Sequence, residues 1–151
     1  MRRKDRGISE AEARELLNKA EYGILSTVSD DGQPYGVPLN FCVIEDCLYF
    51  HHAVEGHLIE NISGNPLVSF CVVGATEIMP EEFGTLYESV ILFGQIEEVF
   101  DSQKQIGLES LVAKYSQDFK KEGREYIKKL WDRTRVFKIT ISELSGKARR
   151  K

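Results

Sequence analysis

His51, His52 and His57 are the only three histidines of the chain, and they fall within seven residues, in the run Leu48-Tyr49-Phe50-His51-His52-Ala53-Val54-Glu55-Gly56-His57. Imidazole titrates near neutral pH, ligates metals and donates hydrogen bonds to phosphate, so the cluster poses a choice among those tasks. Strand alternation sends His51 and His52 to opposite faces, so at most one of them shares a pocket with Tyr49. A register slip of one residue exchanges the two. His57 follows Gly56 at the start of a short helix. Free N–H groups there attract anions, and Ser63 or Ser69 stand ready to assist. The same placement also suits an exposed helix end that binds nothing.

The thiols Cys42, Cys47 and Cys71 raise the question of a metal. A two-residue turn at Glu45-Asp46 pairs Ile44 with Cys47 and Cys42 with Tyr49. That places the two thiols at different levels of a ladder. No C-x-x-C or H-E-x-x-H pattern accompanies them, so no metal site is expected and the thiols read as small buried hydrophobes. G-x-S-x-G, Walker and Rossmann patterns are also absent. The stretch Tyr35-Gly36-Val37-Pro38-Leu39-Asn40-Phe41 is richer. Pro38 lacks an N–H, Gly36 admits close approach to the backbone, and Asn40 carries both donor and acceptor. It fits a strand that shows polar backbone to a planar heteroaromatic ligand. It fits an edge strand with an ordinary bulge equally well.

These residues need a scaffold. The 151 residues carry a net charge of -4, with 42% hydrophobic and 29% charged residues. That suits one globular domain over 1–151 and disfavours a nucleic-acid binder. No apolar run is long enough for a membrane span, and the charged start lacks a secretory h-region. With an odd cysteine count, a reducing cytoplasm is the expected home. Ser9-Glu10-Ala11-Glu12 is a capping box, and Ala13, Leu16, Leu17 and Ala20 continue a helix over 9–20. Strands are predicted over 22–28, 35–44 and 47–52. A short helix lies within 55–64 and stops at Asn65-Pro66. The near-continuous apolar run 67–73 predicts a strand buried on both faces. A strand at 89–99 leads to a helix from Asp101-Ser102 with Leu108, Leu111, Val112 and Tyr115 at helical spacing. A charged helix at 121–133 sets Tyr126, Ile127, Leu130 and Trp131 on one side. The alternating 136–141 run is the last strand, and 136–151 closes the domain with a basic tail. Both basic termini read as solvated ends. Six strands without regular βαβ alternation predict a mainly β fold, an antiparallel barrel with peripheral helices.

Taken in order, GILSTVSDDGQPYGVPLNF, LYFHHAVEGH, NIS-x-NP-x-VSF, TEIMPEEF, YESVILFG and ITISELSGKAR resemble the pyridoxamine 5'-phosphate oxidase-like flavoproteins of the FMN-binding split barrel. The closer resemblance is to the branch containing nitroimidazole-reductase proteins. The resemblance implies a six-stranded antiparallel split barrel and a homodimer with two FMN sites across its interface. It implies no nucleic-acid or membrane partner. By position, Val37, Pro38, Leu39, Asn40 and Phe41 line the isoalloxazine, mostly through backbone. Phe50, His51, His52 and Ala53 follow the ribityl chain and phosphate, with His57 nearest the phosphate. Tyr87, Ser89 and Val90 close the site from the partner chain. His51 is the implied catalytic residue. Leu58 departs from the pattern, because relatives commonly carry a phosphate-binding basic residue there. Tyr35 and Asn40 match poorly the oxidase's arginine and lysine, so pyridoxamine phosphate oxidation is not expected. The implied function is an FMN-dependent reductase of small conjugated acceptors such as nitro-aromatics. The rival is a non-catalytic flavin- or haem-binding, storage or sensing protein on the same barrel.

Overall fold

The computed structural model describes residues 2–151. Ser9 caps α1 (Glu10–Lys19) as expected. Its Oγ accepts from the Glu12 N–H at 3.2 Å, and its own N–H donates to the Glu12 carboxylate at 3.0 Å. Ala13 and Leu17 bury the inner face of that helix. The strands are β1 (Gly7–Ile8), β2 (Gly23–Val28), β3 (Pro34–Leu39), β4 (Cys42–Ile44), β5 (Cys47–His52), β6 (Leu67–Met79), β7 (Gly84–Val99) and β8 (Arg135–Arg149). The remaining helices are α2 (His57–Gly64), α3 (Asp101–Tyr115) and α4 (Lys120–Leu130). No helix among the described residues is long and apolar enough to cross a membrane.

All eight strands join one antiparallel sheet in the order β3-β2-β6-β7-β8-β5-β4, with β1 paired to β8. The expected six strands become eight for two reasons. A two-residue strand forms near the start, and the predicted 35–44 strand breaks at Asn40-Phe41 into β3 and β4. The break has a structural cause, because β3 pairs with β2 while β4 pairs with β5, at opposite ends of the strand order. Only Asn40 and Phe41 separate them, and three Cα steps span at most about 11 Å. The sheet must therefore curl until its two end strands nearly meet. No ladder closes it there, so the barrel stays split.

Inside the curl, Leu25, Leu48, Phe50, Phe70, Leu92 and Ile139 are fully buried. A second cluster, built on Tyr49, Val99, Leu108 and Val136, packs α3 and α4 against the outside of β5 and β8. β6 is not buried on both faces. Val68, Phe70 and Val72 point inward, while Leu67 and Val73 are exposed. An antiparallel sheet covered on one side explains the alternation, but not why the outer residues are apolar. The basic C-terminus is likewise no solvated end. β8 runs to Arg149 alongside β7, and Arg150 bridges Glu12 and Glu88. Of the thiols, Cys42 is buried as expected, while Cys47 and Cys71 are only half-buried.

Candidate functional site

Cys42 pairs with Tyr49 and Ile44 with Cys47, as the turn geometry required. Beyond Tyr49, β5 is paired on one side only: Phe50, His51 and His52 face Phe137, Val136 and Arg135 of β8. β3 pairs only with β2, as an edge strand containing Pro38 should. The free edge of β3 and the free half of β5 lie at the two ends of the strand order that the Asn40-Phe41 link brings together, and they form the split.

The predicted residues divide between the two faces of this seam. Phe41 and Phe50 are core side chains with no exposed surface, so only their backbone can meet a ligand. Val37 and Leu39 pack against the same core, whereas Pro38 and Asn40 are exposed. His52 is half-buried, its Nδ1 3.0 Å from the carbonyl oxygen of exposed Ala53. Gly56 adopts φ +139°, and a Cβ there would lie 3.2 Å from Cε1 of His52. This bend needs glycine for its dihedral and for its clearance. His57 opens α2 with its ring stacked on Tyr35, centroids 4.4 Å apart at 16°. No side chain caps that helix start, so its first N–H groups remain available to an anion. Leu58 points into the core at 2% exposure. A basic residue at that position would be directed inward, and the side chain this helix start turns outward is His57.

His51 faces the other way. With Asn40 it lines a cleft of ≈ 280 Å³ between the seam and the α3–α4 pair, whose wall includes Leu108, Tyr115, Tyr126 and Leu130. The surrounding protein lowers the His51 pKa by withdrawing water from the cation, and His52 adds a smaller repulsion. The ring keeps substantial solvent contact all the same. The end of α3 holds the link in place. The Phe41 N–H donates to the Tyr115 hydroxyl at 3.0 Å, and that hydroxyl lies 2.6 Å from the Glu21 carbonyl oxygen. Lys114 donates to the Phe41 carbonyl at 2.9 Å and sits 4.0 Å above the Phe41 ring, where burial lowers its pKa. Arg135 pairs with Glu98 at 2.7 Å and reaches the Val54 carbonyl at 3.2 Å, which braces the loop after β5.

Tyr87, Ser89 and Val90 stand apart from this seam within one chain. Val90 is a core residue at 1% exposure, so its side chain is not offered to a ligand. Ser89 pairs with Val73 and Lys147, on the face of β7 that also carries exposed Ile91 and Phe93. Sequence reasoning missed Lys114, Tyr115, Tyr126 and Arg135 as parts of the site. The helical spacing of Tyr115 and Tyr126 was legible, but it indicated packing, not a cleft wall. Among the described residues, no three His, Cys, Asp or Glu side chains converge as metal ligands.

The profile of the family described as "Pyridoxamine 5'-phosphate oxidase" matches residues 9–148. The chain belongs to the pyridoxamine 5'-phosphate oxidase family. The motif-based resemblance is thereby borne out at family level. No curated protein matches the sequence. Among solved structures, a candidate 5-nitroimidazole antibiotic resistance protein from Bacteroides thetaiotaomicron shares 22% identity at a TM-score of 0.77, over 94% of this chain and 86% of that one. The FAD and heme binding protein of Mycobacterium smegmatis superposes at 0.82 with 21% identity, over 95% and 72%. An FAD-binding protein from Mesorhizobium loti matches at 25% identity and 0.69, over 97% of both chains. The curled antiparallel sheet with peripheral helices is the architecture this pyridoxamine 5'-phosphate oxidase family member shares with them.

Proposed function

We propose that this protein is a cytoplasmic homodimer that binds FMN at the split between β3 and β5 and reduces small conjugated acceptors such as nitro-aromatics. One observation carries the reading: unpaired β3 and β5 backbone meets at a seam with His51 and Asn40 on one side and an uncapped helix start bearing His57 on the other. That donor set fits a flavin mononucleotide. Free strand edges suit the polar rim of a flat heterocycle, and helix N–H groups with His57 suit a phosphate. Val37 to Phe41 would hold the ring through backbone. His52, Ala53 and His57 would hold the ribityl and phosphate end. The bound flavin supplies the electron chemistry. His51 supplies a proton at its ring nitrogen, α3 and α4 screen one side of it from water, and Arg135 keeps the phosphate loop in place.

The homodimer rests on the exposed outer sheet face. Ile24, Val73, Ile91 and Phe93 form an apolar patch there, and Ser89 lies on it, as a residue offered to a second copy should. A second reading, an FAD- or haem-binding protein without turnover, draws on the FAD and heme binding protein of M. smegmatis as a structural neighbour. Denaturing the purified protein and weighing the released chromophore separates the two. FMN, together with turnover of reduced nicotinamide and a nitro-aromatic acceptor, supports the reductase. FAD or haem without turnover supports the rival.

A further inference from the structure

The β6–β7 hairpin runs past the rest of the sheet. β8 ends against Tyr87, and β2 meets β6 only from Ser69 to Cys71, so Glu77–Met79 and Gly84–Leu86 pair with each other alone. A two-stranded ribbon is marginally stable by itself. This one also presents apolar side chains to solvent. Ile78 is 75% exposed, and Phe83, at the turn, is 98% exposed. Phe83 further adopts φ 49°, a left-handed conformation disfavoured for a residue with a β-carbon. Alternation along β7 assigns the face of the arm. Ile78 lies opposite Thr85, which shares a side with Tyr87, Ser89, Ile91 and Phe93. The arm therefore prolongs the apolar outer face of the sheet.

At the other end of that face lies a hollow of ≈ 330 Å³ edged by Gln95, Glu97, Thr140, Ser142 and a 59%-exposed Leu67. Phe83 precedes Ser89 by six residues, and Gln95 follows it by six. Each offset is about 20 Å along a strand. A protruding ring and a hollow equally far from one point are what a two-fold interface requires, because each copy presents the same surface. We infer that a second copy lies face to face on this sheet with the two-fold axis crossing β7 at Ser89, and that the Phe83 ring of each copy fills the hollow beside Leu67 of the other. Strand directions then oppose. Tyr87 of one copy faces Ile91 of the other, and Thr85 faces Phe93. Charge follows the same symmetry. Glu143 pairs with Phe93 and Arg149 with Tyr87, on opposite sides of the Ser89 rung, so the acidic side chain of one copy approaches the basic strand end of the other. Lys147 shares the Ser89 rung and turns toward the Tyr87 ring, 5.8 Å away. With Ile24, Val73, Ile91 and Phe93, the arm and Leu67 offer a surface comparable with the ~800 Å² that each partner of a stable interface buries. The inference rests on the homodimer of the proposed function for the presence of a second copy, and it fixes which residues meet.

The test is crosslinking and sedimentation of the full chain in a Cys47→Ser, Cys71→Ser background, which leaves only buried Cys42. Ser89→Cys should yield a covalent dimer with a short bis-maleimide, since a residue on the axis meets its own copy. Phe83→Cys alone should not crosslink, whereas Phe83→Cys combined with Leu67→Cys should. Phe83→Asp should raise the dimer dissociation constant at least about tenfold, as loss of an aromatic anchor does. Phe83→Gly suits the positive φ and should still weaken the dimer, which separates the contact of the ring from the conformation of the turn. An undiminished dimer in both Phe83 variants, or Ser89→Cys left uncrosslinked in a dimeric protein, would overturn the inference and leave the homodimer standing. A wild type that sediments as a monomer at every concentration would sink both.

Discussion

His51 and His52 are neighbours in sequence with different surroundings. His52 is tied to the Ala53 carbonyl beside Gly56, while His51 looks into an apolar cleft that lowers its pKa. Its NMR titration midpoint should fall below the ordinary value of about 6.5. The unfolded chain then binds a proton at this site more readily than the native one. Stability therefore falls as pH drops through the unfolded value toward the lowered native one, and is retained above it. Thermal melts of His51→Gln should lose that segment of the pH dependence. If the protonated ring delivers the proton, turnover should decline as pH rises through the lowered pKa, and His51→Gln should flatten that limb of the profile. A profile unchanged by the substitution would remove His51 from the chemistry. Alternation was enough to separate the two histidines by face. It was not enough to say what His51 faces, because the wall comes from α3 and α4, which meet β5 only through tertiary packing. Leu58 shows the converse limit: its helical phase, not its chemical type, directs it inward.

At the scale of elements, the two-residue link between β3 and β4 sets the geometry of the split. Tyr115 anchors that link through the Phe41 N–H. Tyr115→Phe leaves the donor without its acceptor and should cost about 1–2 kcal/mol in urea unfolding. It should also weaken FMN binding, because Asn40 is freed from its setting. The bend at Gly56 is a second such joint. Gly56→Ala forces a side chain into a positive-φ conformation and against His52, for about 1–3 kcal/mol. A larger loss of flavin affinity than of stability would tie the bend to the phosphate end. Element types and most starts were legible because capping boxes, turns and alternation are local signals. The break at Asn40-Phe41 was not, since nothing local tells a chain that its two halves pair at opposite ends of a sheet. The length of β8 escaped for a similar reason. Past Ile141 the alternation weakens, and partners on β7 and β1 hold the strand in place.

The whole molecule shows its most revealing surface on the outside of the sheet, where Ile24, Val73, Ile91 and Phe93 lie exposed together. Read from sequence, the apolar run 67–73 suggested two-sided burial, and in a single chain one side is open. A second copy would reconcile the two. Phe93→Asp should then give a monomer in sedimentation and lose bound flavin while keeping its fold by circular dichroism. A variant that stays dimeric, or a wild type that is already monomeric, would refute that assembly. One further consequence follows from β8, which joins β1, β5 and β7 near the middle of the strand order although it comes after all of them in the chain. During synthesis the ribosome must deliver residues up to Arg149 before β5 and β7 gain their shared neighbour. Until then the nascent chain exposes two unpaired edges, a long one on β7 and a short one on β5, the kind of template on which misassociation begins. Demand for chaperone capture should therefore persist until β8 has cleared the exit tunnel and fall after that.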